Sequence, residues 1–382
     1  MGLADLSGLP YPWDTLGDVR ATAAAHPGGM VDLSVGTPVD PTPAVVRDAL
    51  CAAADAPGYP LTHGTPALRE AVTDWFARRR GVPGLDPDGV MPTVGSKELV
   101  GLLPSLLRLG AGDVVVHPGI AYPTYDVGAR LAGATPLPVN GIDDWAGRDD
   151  VRVVWVNSPS NPTGAVADVD ELRSVVDAAR AAGALVVSDE CYAELGWEGG
   201  AVGPDGASQV PSVLDPRVSG GSTDGLLVTY SLSKQSNLAG YRAAFVAGDP
   251  RVVADLVATR KHLGMIVPAP VQAATVAALG DVQHVAEQRE RYRRRRDLLL
   301  PALRAAGFVV DHSQAGLYLW VRGADDAAGG STSRDLARTF ARWGILVGPG
   351  DFYGPAGARH VRVALTAHDE AIATAVSRIT AP

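Results

Sequence analysis

A lysine behind an apolar run is the residue of this chain best suited to covalent chemistry. Lys234 follows the apolar residues 226–231 and stands among small hydroxyl side chains, and Arg242 lies eight residues further on. A lysine behind a buried strand can lose part of the hydration of its ammonium, which frees the amine as a nucleophile. Arg242 presents the planar fork that binds a phosphate through two hydrogen bonds. A lone lysine is usually a surface charge, so the prediction depends on the whole segment.

A second polar segment follows the apolar residues 90–94. Gly95, Ser96 and Lys97 begin a stretch that has the pattern of a helix. The first N–H groups of a helix have no partner within the helix, and together with the positive end of the helix dipole they bind phosphate. The segment therefore predicts a phosphate site, with an ordinary capped helix as the structural alternative. There is no Walker pattern and no G-x-G-x-x-G after a predicted strand, so nucleotide-binding folds gain no support.

Two more apolar runs end in polar residues. Residues 151–156 lead to Asn161, whose flanking prolines and glycine would hold its amide at a fixed angle. Residues 184–188 end at Asp189, which could pair with a cation in a crevice. A turn at Asn161 and a solvated strand end at Asp189 are the structural alternatives.

All four segments stand in the same relation to the predicted elements. Short apolar runs alternate with amphipathic or alanine-rich stretches from about residue 90 to residue 248, which is the pattern of strands buried on both faces between helices. Ligands of such α/β sheets bind beyond the carboxyl ends of the strands, so we expect the four segments to meet at one edge of the sheet. The predicted strands are 90–94, 113–116, 134–139, 151–156, 184–188, 226–231 and 242–247.

The chain is long enough for two domains. It has 382 residues, of which 46% are hydrophobic, and this length exceeds that of one ordinary domain. A long helical pattern and several short apolar runs follow residue 270. We therefore predict a large domain at residues 46–270, and a small domain that combines residues 1–45 with residues 271–382.

Two helices and one loop are marked clearly in the sequence. A helix is predicted at 66–80, and another begins at Asp168, where Glu171 completes a capping box. Residues 198–225 are polar and rich in glycine and serine, so we expect a surface loop there.

Composition argues against several classes of protein. A net charge of -9 disfavours constitutive nucleic-acid binding, which needs a concentrated positive field. Cys51 and Cys191 are the two cysteines, so there is no disulfide framework, and neither cysteines nor histidines have the spacing of metal ligands. No segment reaches membrane-spanning length without charges. We therefore expect a cytoplasmic protein with no metal, no membrane and no nucleic-acid partner, and interpret the arginine-rich run 289–296 as a solvated helix face.

The order and spacing of these segments resemble those of class I/II aminotransferases of fold type I, which depend on pyridoxal 5′-phosphate. The resemblance extends from SVGTPVDPTP around Gly36 to Arg362 in HVRVAL. It is carried by NSPSNPTG around Asn161, SDECY with Asp189 and Tyr192, and SLSKQSNLAGYR with Lys234 and Arg242. It implies an α/β fold: a large domain whose mostly parallel central sheet is flanked by helices, and a smaller α+β domain.

The resemblance also implies roles around the cofactor ring. Lys234 would carry the cofactor as a Schiff base and then move a proton between substrate and cofactor. Asp189 would pair with the ring nitrogen and keep it protonated, which lets the ring accept electrons. Asn161 and Tyr192 would hydrogen-bond the oxygen on the ring.

Other residues are implied at the ring face and at the phosphate. Tyr122 would stack on the ring, although Tyr125 is a nearby alternative. Tyr59, in GYPLTHGTPALRE, would reach across a dimer interface to the partner's phosphate, which implies a homodimer. The phosphate of the same subunit would be surrounded by Gly95, Ser96, Lys97, Ser231, Ser233 and Arg242.

One cation points to the substrate. Arg362 lies inside an apolar run, where an unpaired guanidinium is costly to bury. By resemblance Arg362 would bind the α-carboxylate of the substrate, with Gly36 and Asn161 beside it. An internal ion pair is the structural alternative.

A narrower resemblance is to the actinobacterial N-succinyldiaminopimelate aminotransferases of lysine biosynthesis. It rests on LSGLPYPWDTL, DLSVGTPVDPTP, NSPSNPTG, SDECYAELGW, SLSKQSNLAGYRAAFVAGDP, RKHLGMIVPAPVQAA and PGDFYGPAGARHVRVALTA. The implied reaction exchanges an amino group between N-succinyl-LL-2,6-diaminopimelate and 2-oxoglutarate. These substrates carry carboxylates at both ends, and Arg260 and Lys261 are candidates for binding the second one. The sequence marks no dedicated arginine for it, so a broad-specificity amino-acid aminotransferase and a β-lyase on the same scaffold are the alternatives.

Overall fold

A seven-stranded sheet lies at the centre of the computed structural model, which describes residues 11–203, 208–324 and 330–381. Its strands are β2 (Val90–Val94), β3 (Val114–Pro118), β4 (Thr135–Val139), β5 (Val151–Asn157), β6 (Leu185–Asp189), β7 (Leu226–Ser231) and β8 (Ala243–Gly248). They lie in the order β2-β8-β7-β6-β5-β3-β4. Strand β8 is antiparallel to both neighbours, and the other pairs are parallel. The prediction of a mostly parallel α/β sheet is confirmed.

The strands of this sheet are buried on both faces, as their continuous apolar runs predict. Successive side chains of a strand point to opposite faces, and Val114 and Val116 accordingly join one apolar core while Val115 joins another. Helices cover both faces: α2 (Ala44–Ala52), α3 (Pro66–Arg79), α4 (Ser96–Leu106), α5 (Thr124–Ala132), α6 (Val169–Ala182), α7 (Pro216–Ser219), α8 (Pro250–Leu263) and α9 (Ala269–Gly280). Among the residues described, no helix is both long and apolar enough to cross a bilayer.

A second, smaller sheet is antiparallel. It contains β9 (Phe308–Asp311), β10 (Tyr318–Gly323), β12 (Gly348–Pro349) and β13 (His360–Ala364), in the order β12-β13-β10-β9. Beside it, β1 (Val31–Asp32) pairs in parallel with β11 (Ile345–Leu346). The remaining helices are α1 (Gly17–Ala24), α10 (Gln283–Ala305), α11 (Ser333–Arg342) and α12 (Asp369–Ile379), and a 3-10 helix spans Pro12–Leu16.

The beginning of the chain packs with its end. Leu16, Val19, Val31 and Leu33 lie in the same apolar core as the small sheet. This is the packing predicted for the N-terminal residues, although residues 1–10, 325–329 and 382 of the expected small domain lie outside the described residues. The domain limits at 45/46 and 270/271 stay predictions.

Local signals set the ends of two predicted helices. The Asp168 carboxylate accepts hydrogen bonds from the backbone N–H groups of Asp170 and Glu171, and the Glu171 carboxylate accepts one from the N–H of Asp168. Helix α6 then ends at Gly183, whose φ of 66° suits glycine. The Thr65 hydroxyl caps α3 by accepting a hydrogen bond from the N–H of Leu68.

The expectation of a surface loop at 198–225 is wrong. Val210, Val213, Leu214 and Val218 are buried in the core of the large sheet, and α7 lies within this stretch. Its polar groups also have internal partners: the Ser212 hydroxyl, for example, donates to the Glu190 carboxylate at 3.0 Å. Residues 204–207 lie outside the described residues.

The interpretation of 289–296 as a solvated face is wrong for two of its arginines. Arg295 and Arg296 are buried on α10. Arg295 forms ion pairs with Asp40, at 2.7 Å, and with Asp369, at 2.6 Å, while Arg296 pairs with Glu198. These carboxylates are distant in the sequence, so the run itself gave no sign of them.

Candidate active site

One cavity of about 260 Å³ lies beyond the carboxyl ends of β5, β6 and β7, beside the start of α4. It is the position expected for a ligand of an open α/β sheet. Lys234, Asp189 and Arg242 all line it, so the lysine, the carboxylate and the guanidinium face one space. The other predicted residues that line it are Gly36, Ser96, Lys97, Tyr122, Asn161, Tyr192, Ser231, Ser233 and Arg362.

The lysine segment is held by its own serines and by the N-terminal part of the chain. Ser231 is the last residue of β7, and its hydroxyl donates to the Ser233 hydroxyl at 2.8 Å. The amine of Lys234 donates a hydrogen bond to the backbone carbonyl of Gly36. Lys234 Nζ is therefore inside the cavity and is held by a neutral acceptor.

Asp189 is the buried last residue of β6. Its carboxylate accepts a hydrogen bond from the Tyr125 hydroxyl at 2.9 Å and from the N–H of Cys191 at 3.2 Å. Burial raises the pKa of Asp189, and the bonds from Cys191 and Tyr125 only partly offset this. A buried carboxylate is stabilised by a cation, and Asp189 forms no ion pair with any residue described. Its environment therefore suits a protonated ring nitrogen.

The two candidate tyrosines for the ring face differ in exposure. Both line the cavity, but Tyr125 is fully buried with its hydroxyl on the Asp189 carboxylate, while part of Tyr122 is exposed. This exposure favours Tyr122 for contact with a bound ligand, and its stacking role stays a prediction.

The start of α4 forms a cradle with Arg242. Gly95 stands between β2 and α4 with a φ of 75°, and a Cβ at this position would lie 1.9 Å from Nη2 of Arg242. Only glycine leaves room for the guanidinium beside the first N–H groups of the helix. Those groups, the hydroxyls of Ser231 and Ser233, and Arg242 make a donor set that fits a phosphate.

Arg362 lies at the middle of β13 and is buried. It donates to Asn161 Oδ1 at 2.9 Å and to the Ser34 carbonyl at 2.8 Å. Its Nε is buried without a hydrogen-bond partner in the structure. No carboxylate of the described chain pairs with Arg362, so the internal ion pair considered as an alternative is not present. A substrate carboxylate would complete the bonds of this guanidinium.

Sequence reasoning missed the aromatic residues around Arg362. Its Cζ lies 3.9 Å from the ring centroid of Tyr318, 5.0 Å from that of Tyr353 and 5.8 Å from that of Trp13. Tyr11, Trp13 and Tyr318 also line the cavity. The only signal for Tyr11, Trp13 and Tyr353 was the resemblance of the segments that contain them. Tyr318 gave no signal, because an aromatic residue in a strand usually indicates core packing. Residues 6–10 of LSGLPYPWDTL lie outside the described part of the chain.

Arg260 is a correction to the predicted substrate residues. It is fully buried on α8, and Nη1 and Nη2 bind the Glu98 carboxylate at 2.6 and 3.0 Å. The helical period places Arg260 on the same inner face as Val253 and Val257. It does not line the cavity, and neither does the exposed Lys261.

Tyr59 is also outside the cavity. Its side chain is 99% exposed, so in the single chain it touches neither Arg242 nor Ser96. Its proposed contact with a partner's phosphate stays a prediction.

A fold of this type, with an amine, a buried carboxylate and a phosphate cradle at the strand ends, defines a pyridoxal-phosphate-dependent enzyme of fold type I. The chain belongs to the family "Aminotransferase class I and II", whose sequence profile matches residues 28–379. This family uses pyridoxal phosphate, and the residues present fit that cofactor: Asp189 suits the ring nitrogen, and the start of α4 suits the phosphate.

Two curated relatives and one solved structure cover nearly the whole chain. The chain is 57% identical to "Probable aminotransferase Rv1178" of Mycobacterium tuberculosis, over 97% of this chain and 85% of the relative. It is 53% identical to "4-dedimethylamino-4-oxo-anhydrotetracycline transaminase OxyQ" of Streptomyces rimosus, over 97% and 98%. A "probable N-succinyldiaminopimelate aminotransferase" of Thermus thermophilus superposes with a TM-score of 0.83 at 28% identity, over 97% and 99% of the two chains. The aminotransferase prediction is confirmed at the level of the family.

Proposed function

We propose that this aminotransferase exchanges an amino group between N-succinyl-LL-2,6-diaminopimelate and 2-oxoglutarate, in the cytoplasm and as part of lysine biosynthesis. The observation that carries the proposal is that the cavity holds two further cations, Arg362 and Lys97, besides Lys234 and Arg242. Arg362 is buried, and Lys97 is exposed while lining the same cavity. Both substrates carry an α-carboxylate and a distal carboxylate. In either substrate, one carboxylate could therefore bind Arg362 and the other Lys97.

Lys97 is available for the distal carboxylate. Its Nζ lies 5.4 Å from the ring centroid of Tyr11 and 5.7 Å from that of Tyr122, and it forms no ion pair within the described chain. The helix start, two hydroxyls and Arg242 already provide donors for the phosphate. We therefore propose Lys97 for the second carboxylate, in place of Arg260 and in addition to the phosphate role expected from the sequence.

The remaining roles follow from the geometry. When bound, the cofactor withdraws electrons from the bond between the substrate's Cα and its hydrogen. In this proposal Lys234 Nζ takes the Cα proton and returns it on the cofactor side. Its place in the cavity supports this role, and its hydrogen bond there goes to a neutral acceptor, the Gly36 carbonyl. Asp189 holds the proton on the ring nitrogen, and Arg362 fixes the α-carboxylate so that the Cα–H bond faces Lys234.

We further propose that the protein is a homodimer. The Tyr59 side chain is 99% exposed, so in the single chain its ring lacks the apolar contacts that a partner surface would supply. Tyr59 would then donate its hydroxyl to the phosphate in the partner's site, as the family resemblance implies.

A second candidate substrate class is favoured by the aromatic lining. Tyr11, Trp13 and Tyr122 line the cavity, and flat rings suit a planar polycyclic ketone. The name of the relative at 53% identity describes amination of such a compound. Binding of this second class of substrate would depend on these aromatic side chains and would not require Lys97.

The experiment compares substrates on the purified, cofactor-loaded protein. Initial rates are measured with 2-oxoglutarate as acceptor and N-succinyl-LL-diaminopimelate, LL-diaminopimelate, aspartate or alanine as donor. We expect kcat/KM to be highest for N-succinyl-LL-diaminopimelate. Lys97→Ala should lower its kcat/KM about 10- to 100-fold, since a lost charge-assisted hydrogen bond has this magnitude. At saturating cofactor, the same variant should lower kcat/KM for alanine much less, because alanine has no distal carboxylate.

Three outcomes contradict the proposal. Equal kcat/KM for all donors would indicate a broad-specificity aminotransferase. Release of pyruvate and ammonia from cystathionine without a keto-acid acceptor would indicate a β-lyase. Faster amination of a polycyclic ketone, unaffected by Lys97→Ala, would favour the second candidate.

A further inference from the structure

Tyr318 touches three parts of the candidate site. It is the first residue of β10 and is buried. Its ring lies against the guanidinium of Arg362, with 3.9 Å between the ring centroid and Cζ. Its hydroxyl oxygen is 3.4 Å from that of Tyr192, and a Cβ at Gly36 would lie 2.0 Å from it.

We propose that Tyr318 is a positioning residue with two separable actions: its ring face orients Arg362 toward the substrate carboxylate, and its hydroxyl orients that of Tyr192 toward the cofactor ring. The proposal rests on the roles assigned above to Arg362 and Tyr192. It goes beyond them because Tyr318 acts through both residues.

The ring action follows from how Arg362 is held. Asn161 Oδ1 and the Ser34 carbonyl each accept one hydrogen bond from its two Nη atoms, which fixes the edge of the guanidinium. These two bonds leave the plane free to rock about the line that joins them. A flat aromatic face at 3.9 Å attracts the cation and opposes that motion. The substrate carboxylate then meets a guanidinium whose plane is already set.

The hydroxyl action rests on the position of the Tyr318 hydroxyl, which lies beside that of Tyr192 and against Gly36. The titratable groups that face the Tyr318 hydroxyl are Arg362, Lys234, Tyr192 and Cys191. Burial raises the pKa of Tyr318, but the charges of Arg362 and Lys234 outweigh burial and lower it. Burial raises the pKa of Tyr192 well above its usual value, and the neighbouring Tyr318 adds to this.

The two hydroxyl oxygens lie 3.4 Å apart, within reach of a hydrogen bond. In the proposal Tyr318 donates to Tyr192, which leaves the proton of Tyr192 for the oxygen on the cofactor ring. Gly36 makes this arrangement possible, because any side chain there would meet the Tyr318 hydroxyl.

Two substitutions separate the actions. Tyr318→Phe keeps the ring and removes the hydroxyl, and Tyr318→Leu removes both. The first measurement is a pH titration of the visible absorbance of the lysine-bound cofactor. The second is the dissociation constant of glutarate, an unreactive dicarboxylate, measured by calorimetry together with KM for the amino donor.

We expect Tyr318→Phe to raise the midpoint of the absorbance titration by about 0.5 to 1 pH unit, the change produced when one hydrogen bond to the ring oxygen weakens. Its KM and glutarate dissociation constant should stay within about twofold of the unmodified protein. Tyr318→Leu should shift the midpoint equally and also weaken glutarate binding and raise KM about 10-fold. Tyr192→Phe is the control for the titration and should shift it in the same direction.

Each action has its own refutation. An unchanged midpoint in Tyr318→Phe overturns the hydroxyl action. Unchanged glutarate binding in Tyr318→Leu overturns the ring action, and if that variant does not fold, Tyr318→Met replaces the ring by a flexible chain of similar length and decides the question. Circular dichroism establishes that each variant is folded. Neither readout requires the proposed diaminopimelate substrate, so a failure of that proposal is seen separately in the donor panel.

Discussion

The cavity has two walls that hold their charges differently. The cofactor wall comes from the ends of strands of the large sheet and the start of α4, and it comprises Ser96, Tyr122, Asn161, Asp189, Tyr192, Ser231, Ser233, Lys234 and Arg242. The substrate wall comprises Tyr11, Trp13, Gly36, Tyr318 and Arg362. On the cofactor wall, Asp189 is held by hydrogen bonds from its immediate surroundings. On the substrate wall, Arg362 is held by two hydrogen bonds and, in addition, by aromatic faces from separate parts of the chain.

This contrast indicates how a substitution in each wall would affect the surrounding residues. Residues on the cofactor wall are fixed by one continuous sheet, so a substitution there removes a chemical group and leaves its neighbours in place. Residues on the substrate wall are fixed by packing between the N-terminal segment and the small sheet, so a substitution there disturbs several contacts at once. We expect the first kind of change to act on kcat and the second on KM.

The largest effect should come from the cofactor wall. Lys234→Ala removes the amine that donates to the Gly36 carbonyl, and we expect kcat to fall by at least about 10⁴-fold because the proposed acceptor of the Cα proton is lost. The fold should be unaffected, as judged by circular dichroism. Lys261→Ala, on the exposed end of α8, is the matched control and should keep full activity. Substantial turnover by Lys234→Ala would refute the role of this lysine.

A smaller effect, on KM, should come from the substrate wall. Arg362→Lys keeps the positive charge but replaces the planar guanidinium by a single ammonium group. An ammonium cannot donate to Asn161 Oδ1 and the Ser34 carbonyl and at the same time bind a carboxylate through two hydrogen bonds. We expect KM for the amino donor to rise about 100-fold, with kcat changed much less. Arg322→Lys, on the neighbouring strand and paired with Asp311 at 2.9 Å, should have little effect on KM. A fall in kcat at unchanged KM would contradict the expectation that substitutions on the substrate wall act on KM.

The smallest effect concerns the support of the substrate wall. The side chain of Asp40, four residues after Gly36, accepts hydrogen bonds from Arg295 and Gln288. Burial raises the pKa of Asp40, but these hydrogen bonds and the charge of Arg295 outweigh burial and lower it. The resulting stabilisation is fully present above the unfolded pKa of an aspartate, about 4, and is lost as pH falls through the lower folded value.

Asp40→Asn should therefore lower the free energy of unfolding at pH 7 by about 1 to 2 kcal/mol, less than for a fully buried pair because solvent screens part of the interaction. Urea unfolding at pH 7 and near pH 3 should show the difference from the unmodified protein shrinking in acid. Asp74→Asn on α3, whose side chain and partner Arg78 are both largely exposed, serves as a surface control. A difference that stays constant with pH would mean that Asp40 acts through packing rather than charge.

The two walls also differ in how well the sequence predicts them. The residues of the cofactor wall are short polar side chains that directly follow apolar runs, so the strand pattern and the rule for ligands of α/β sheets locate them. On the substrate wall, Arg362 was found because a charge inside an apolar strand is unusual. Tyr318 was not found, because a tyrosine in a strand has the same pattern whether it packs in a core or lines a cavity.

Partners that are distant in the sequence explain the other errors. Arg295 was predicted to lie on a solvated helix face and Arg260 to bind a substrate carboxylate, and both are buried against carboxylates on other elements, Asp40 and Glu98. Local composition cannot show such pairs, since neither charge is unusual until the tertiary fold brings them together. The same reason applies to residues 198–225, whose valines are separated by glycine and serine but meet in the core.

The acceptor for the Lys234 amine is a main-chain atom, the carbonyl of Gly36. Replacing side chains one at a time cannot delete that oxygen, and a substitution at Gly36 would report the clash of the new side chain with Tyr318 rather than the loss of this contact. Only a change in the course of the backbone, such as an inserted residue between 36 and 40, would move it. Tolerance to substitution is therefore a poor guide to what surrounds the amine at this point.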